Sequence, residues 1–403
     1  MKERTSWLAV GTALAAGIAG GASTAKISPA LPFLQQEFGL SLIAAGWLAS
    51  MFNLVAVCGA LLLGIGSDRA GALRFCILGL STQVAGGTLA LFASAAPLLL
   101  LSRLIEGLGF IATAVAAPVL MAAAAAPEHR RFAFTLWAAQ MPVGGFLIIV
   151  ASPLLLGMGG WRALWGALIA AMLASIVLIA LQSQRYASVA AGAPRSLASI
   201  RESLAQPVPW LLGAAFAACA MQFYTMMVWL PTYLLQTRGL GAFASSLLTA
   251  AYVLASACGT LGGCWLVHRQ AQRGRTIGVA FGVTALLFLA MFAPPLPDAL
   301  RFVAVLACSF VISCIPPTVF GGVMRYARST AEAGSLQGLI AQLTYLGAFL
   351  GAPLVATVVT WSGTWNAALG VLLAGSVIGG LAAWGIHRIE ARDTRAVEQR
   401  HSA

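Results

Sequence analysis

Apolar residues fall in long runs along this chain, and polar residues are gathered in short connections between them. Twelve runs are centred near Ala19, Leu54, Gly86, Ala112, Phe146, Met172, Gln222, Val253, Leu286, Val311, Leu346 and Leu373. Each is of the order of the roughly 17–25 residues a helix needs to cross a bilayer. Strands of a membrane barrel would be about half as long and would alternate apolar with polar positions. The pattern therefore predicts an all-α integral membrane protein with twelve transmembrane helices.

One connection is longer than the rest: "QSQRYASVAAGAPRSLASIRESLAQPVP", from Gln182 to Pro209. It separates six runs from six. The division predicts a six-helix bundle over 1–182, a cytoplasmic central loop over 183–208, a second six-helix bundle over 209–387 and a charged, partly irregular cytoplasmic tail over 388–403. Two such repeats are the plan of many secondary transporters, whose solute sites lie near the bilayer midplane.

Composition agrees with the pattern. The 403 residues are 60% hydrophobic and 8% charged, against about 25% charged in soluble domains. The net charge of +12 would suit a nucleic-acid partner if it were clustered, but it is distributed by side. With the N-terminus placed inside, 18 of the 23 Lys and Arg residues fall in connections on that side, and three (Arg162, Arg238, Arg301) on the other. That is the positive-inside pattern of an inner-membrane protein with both termini cytoplasmic. The basic start of the first run suggests a secretory leader, but its apolar stretch exceeds the usual 7–15 residues or so, so a retained helix is expected.

Seven cysteines (Cys58, Cys76, Cys219, Cys258, Cys264, Cys308, Cys314) show no metal or redox spacing, and the four histidines lie in connections. No cofactor, metal or enzymatic chemistry is expected, and no G-x-x-x-x-G-K-[ST] stretch points to ATP.

Several short stretches carry a family resemblance. "GIGSDRAGALRF", Gly64 to Phe75, resembles the G-x-x-x-D-R-x-G-x-x-[RK] signature between helices 2 and 3 of the major facilitator superfamily, through Gly64, Asp68, Arg69, Gly71 and Arg74. "SRLIEGLGF" resembles that family's helix-4 signature through Arg103, Gly107 and Gly109. "LWAAQMPVGGFL" keeps Pro142, Gly144 and Gly145 of an antiporter-type signature, but Trp137 and Met141 replace two glycines. "HRQAQRGR", from His268, is a degenerate echo of the first loop that keeps Arg269, Gly274 and Arg275 and lacks the acid. "KISPALP", "WLPTYL" and "GAP" are similar to the cyanate-permease-like branch. The resemblance implies the major facilitator fold and alternating access. It implies gating roles for Gly64, Asp68, Arg69, Gly71, Arg74, Pro142, Gly144 and Gly145.

Candidate chemistry lies in the polar residues inside the runs. Lys26 shares a helical face with Ala15, Ala19, Ala22, Ser23 and Ala30. It has three readings: it snorkels to the interface, it pairs with Glu106, or it faces a cavity as counter-ion to an anionic solute. Arg103 and Glu106, at i,i+3, form either a structural or a coupling pair. Asn53, Gln140, Gln222, Tyr224, Trp229, Tyr252, Gln342 and Tyr345 are the other candidates for lining a solute site. The expectation is a monomeric secondary transporter of a small anionic solute, with protons as the candidate coupling ion, membrane lipid as its surroundings and no nucleic-acid partner. The alternative is a proton-coupled exporter of drugs or hydrophobic cations that uses Glu106.

Overall fold

A computed structural model describes residues 5–186, 206–269, 272–293, 296–326 and 330–402, with only the backbone described at 60–70, 131, 134–135, 324–325, 330–335 and 393–402. Helices run in the order α1 (Trp7–Ala25), α2 (Ile27–Phe38), α3 (Leu42–Ala70), α4 (Ala72–Leu91), α5 (Ala96–Ala124), α6 (Arg130–Ala138), α7 (Gln140–Leu181), α8 (Pro207–Arg238), α9 (Ala242–His268), α10 (Arg273–Phe292), α11 (Asp298–Ile312), α12 (Ile315–Tyr326), α13 (Thr330–Ser362) and α14 (Ala368–Ser402). All twelve predicted run centres fall inside helices. Ten stretches of the described residues are long and apolar enough to cross a membrane. The difference has two sources. The run α7 carries the fifth and sixth centres and is broken at Gly159 and at Gly160, whose φ of +63° suits glycine. α4 carries the third and is outside the ten; Arg74, Gln83 and its glycines lower its apolarity.

Prolines set the other breaks. The first span pauses at Lys26, between α1 and α2. Pro29 has no N–H to give the carbonyl of Ala25, and its ring crowds that carbonyl. The chain then continues as helix to Phe38, where Gly39 turns left-handed. Lys26 is thus interior to a two-piece helix rather than near its end. Pro142 acts the same way on Ala138, so the fifth span is divided at Ala139 and the proline lies in the first turn of α7. The tail expected to be partly irregular beyond His387 is helical to Ser402; its run of Glu, Ala, Arg and Gln favours helix.

The chain forms two compact units: residues 1–194 with 227–253, and residues 195–226 with 254–403. The first is centred on Ala13 and Ala16 of α1, Cys76 and Leu80 of α4, Ala116 and Leu120 of α5, and Met172 and Ile179 of α7. The segment 227–253 joins it by polar links as well: the Ser28 hydroxyl donates to the carbonyl of Met227, and the Ser152 hydroxyl donates to Ser246 Oγ at 3.2 Å. The second unit packs around Leu212 and Ala215 of α8, Ile277 and Phe281 of α10, Ile315 and Val319 of α12, and Ala383 and Ile386 of α14. Large apolar side chains such as Leu154, Leu181, Leu261 and Leu286 are exposed, as a bilayer-facing surface requires.

Candidate functional site: a buried Lys–Glu–Arg group

The side chain of Lys26 is enclosed in the first unit, where it is 1% exposed. Snorkelling is thereby excluded. Its Nζ donates to Glu106 Oε1 at 2.5 Å. Glu106 projects from α5, and its other oxygen, Oε2, accepts from Arg103 Nη1 at 2.5 Å. The same Arg103 nitrogen donates to the carbonyl of Ser23 at 3.1 Å, one turn before Lys26. One carboxylate therefore serves two cations, all three side chains are buried, and the formal charge of the group is +1.

Aromatic faces complete the enclosure. Lys26 Nζ lies 4.2 Å from the ring centroid of Trp165, and the Arg103 guanidinium lies 4.6 Å from that of Phe52. Both distances suit cation–π attraction. Gly87 of α4 leaves room for the carboxylate, since a Cβ there would stand 3.2 Å from Glu106 Oε1. Several buried polar atoms in this unit have no hydrogen-bond partner: Arg103 Nε and Nη2, Trp165 Nε1, and the hydroxyls of Ser23 and Ser50. Unmet donors on a buried guanidinium are costly, and they are what an anion would satisfy.

The ring of Trp165 meets that of Trp161 edge-on at 5.3 Å. Trp161 Nε1 donates to Glu37 Oε2 at 2.7 Å, and Arg162 Nη2 lies 2.7 Å from Glu37 Oε1. This exposed clasp joins the end of α2 to the chain just after the Gly160 break. Arg162 beside it holds the Glu37 carboxyl below its ordinary range. Trp161, Trp165, Phe52, Glu37 and Arg162 were not among the sequence candidates; aromatic residues in apolar runs carry no mark of their partners.

The remaining candidates belong to both units. Asn53, Gln140, Trp229 and Tyr252 are buried in the first unit. Gln140 Oε1 has no hydrogen-bond partner. Gln222, Tyr224, Gln342 and Tyr345 belong to the second unit. Gln222 Nε2 donates to the carbonyl of Leu372 at 2.6 Å and to Ser376 Oγ at 2.8 Å, so it ties α8 to α14. Tyr224, Gln342 and Tyr345 are half-buried.

Of the gating candidates, Gly64, Asp68 and Arg69 lie in α3 where only the backbone is described. Gly71 caps α4 with φ +82°, and Arg74 is exposed. Gly144 is where α7 crosses α1: a Cβ would collide with the carbonyl of Ile18. Gly145 lies beside it, within ordinary reach of Ala25 and Val253. In the second unit, Glu390 of α14 lies against the degenerate loop. It accepts from the Gly274 amide at 3.2 Å and lies 3.5 Å from Arg273.

Solved structures share the whole fold. A bacterial homolog of the human lysosomal transporter Spinster superposes with a TM-score of 0.77 at 15% identity, over 96% of this chain and 97% of that one. A D-xylose–proton symporter gives 0.76 at 16%, over 94% and 97%. Among sequence relatives, a Cupriavidus pinatubonensis transporter named for 4-methylmuconolactone is 30% identical over 57% of this chain and 55% of its own length. A Bacillus subtilis transporter named for niacin and nicotinamide is 23% identical over 60% and 61%. An Escherichia coli arabinose–proton symporter is 26% identical over 41% and 35%. The chain thus aligns with no more than about three-fifths of these relatives' length. The family model of the Major Facilitator Superfamily matches residues 12–352. On that match, which spans most of the sequence, the chain belongs to the major facilitator superfamily.

Proposed function

We propose that this transporter carries a small organic anion by alternating access, and that Lys26 and Arg103 hold the solute's anionic group. The observation that carries the reading is the excess cation: Glu106 neutralises one charge of two, and Arg103 keeps two buried nitrogens without partners. Charged groups inside a membrane protein mark solute or ion pathways. Arg103 and Glu106 are the coupling pair. A solute anion competes with Glu106 for the cations, and a proton on Glu106 eases the exchange. Relatives named for niacin and for proton symport support both parts. The exporter alternative needs Glu106 free to receive a cationic drug, and both of its oxygens are already engaged.

The test is uptake of a panel of small carboxylates and neutral sugars into proteoliposomes. Lys26→Gln leaves a neutral Arg103–Glu106 pair and should abolish saturable carboxylate uptake while the protein still purifies as a monodisperse species. Lys26→Arg should keep part of it, since charge survives and geometry changes. Unchanged carboxylate uptake by Lys26→Gln would assign the group a structural role alone.

A further inference from the structure

The second unit has a groove of about 460 Å³ on its surface, within the roughly 300–1,000 Å³ span of ligand pockets. Its floor and walls are apolar: Leu266 of α9, Val279, Ala280 and Val283 of α10, Val311 of α11, and Cys314 just beyond it. Its polar residues, Gln272, Arg275 and Thr276, are all at the start of α10. We propose that this groove is a binding site for an anionic glycerophospholipid of the surrounding bilayer, with the phosphate at Arg275 and one acyl chain along Val279 and Val283.

Depth supports the assignment. α9 ends at His268 and α10 begins at Arg273, so both helix ends lie at one face of the membrane. Trp265, 56% exposed, carries the Arg269 guanidinium 5.2 Å from its ring centroid. Exposed tryptophans near helix ends mark the headgroup level. Arg275 begins the groove at that level, and Val283 lies eight residues on, about 12 Å deeper along the helix axis. The groove is therefore polar where headgroups are and apolar where chains are.

Charge supports it as well. Arg273 is engaged with Glu390, whereas Arg275 is exposed and has no carboxylate partner among the described residues. A cation without a counter-charge, at the mouth of an interhelical groove, is the arrangement that selects anionic headgroups. A zwitterionic lipid would fill the apolar part equally well but would bring its own cation to Arg275.

The experiment is native mass spectrometry of the purified full chain after equilibration with equal amounts of phosphatidylglycerol and phosphatidylcholine. The wild-type protein should retain phosphatidylglycerol preferentially. Arg275→Gln should lower the retained ratio about fivefold, the discrimination expected of one cation near an anionic surface. Arg388→Gln removes another exposed cation of this unit, outside the groove, and should leave the ratio unchanged. Val279→Trp, at a position 58% exposed, fills the trough and should reduce retention of both lipids. A ratio unmoved by Arg275→Gln, an equal fall with Arg388→Gln, or undiminished retention in Val279→Trp would each overturn the proposal.

Discussion

Two cations on one buried carboxylate form an unbalanced arrangement, and removing the shared acid exposes the imbalance. Glu106→Gln leaves Lys26 and Arg103 without counter-charge, and breaking a buried pair costs about 3–5 kcal/mol. The expected result is a large drop in the thermal midpoint of the detergent-solubilised protein. Lys26→Gln in the same background should recover part of it, because one buried cation rather than two is then unmatched. A midpoint unchanged by Glu106→Gln would mean that water already reaches the group. At the exposed clasp, pH is the lever. Arg162 depresses the Glu37 carboxyl below its ordinary 4.5 or so. A depressed carboxylate contributes stability above its unfolded pKa and loses it as pH falls through the folded value. The midpoint difference between wild type and Glu37→Gln should accordingly be constant above about pH 5 and shrink as the solution is acidified below it. The effect will be small, since the pair is about two-fifths exposed (45% and 39%) and such pairs contribute about 0.2–1 kcal/mol. Lys26, Arg103 and Glu106 were legible in the sequence because charge inside an apolar run is rare. Trp165 and Phe52 were not, because an aromatic residue in such a run is the ordinary case.

Among the helices, the crossing of α1 and α7 depends on a side chain that is absent. Gly144→Ala places a methyl against the carbonyl of Ile18. Overpacking of this kind costs about 1–3 kcal/mol, and the variant's thermal midpoint should fall accordingly. Gly157→Ala, where a Cβ meets nothing within 4 Å, should be neutral or stabilising by up to about 1 kcal/mol, the helix-propensity difference. Equal midpoints for the two variants would show that the crossing yields. Spans were legible from run length alone. The interruption at Lys26 was less visible: it is caused by Pro29, three residues downstream, and a hydropathy reading passes over it because proline does not end an apolar run.

For the whole chain, the distribution of basic residues makes an orientation testable. Reporter fusions after Arg195 and Arg388 should be active only with a cytoplasmic reporter, and periplasmic activity at either point would contradict the charge asymmetry. The six-and-six division rested on the polar connection from Gln182 to Pro209, most of which, 187–205, lies outside the described residues. That 227–253 packs within the first compact unit had no signal in the chain, since contacts between distant helices leave no period behind them. The Lys26–Glu106 link also bears on how the protein is made. Its partners are 80 residues apart, and ribosomes add roughly 5–20 residues per second. The first helix therefore waits about 4–16 s for its counter-charge, while a lone ammonium inside a span costs up to about 2.5–3.5 kcal/mol, the value at a helix centre. Nascent chains that stop before α5 carry this cost uncompensated, so fusions truncated before Glu106 should insert their first helix less completely than fusions truncated after it, a difference that a protease-protection assay would read.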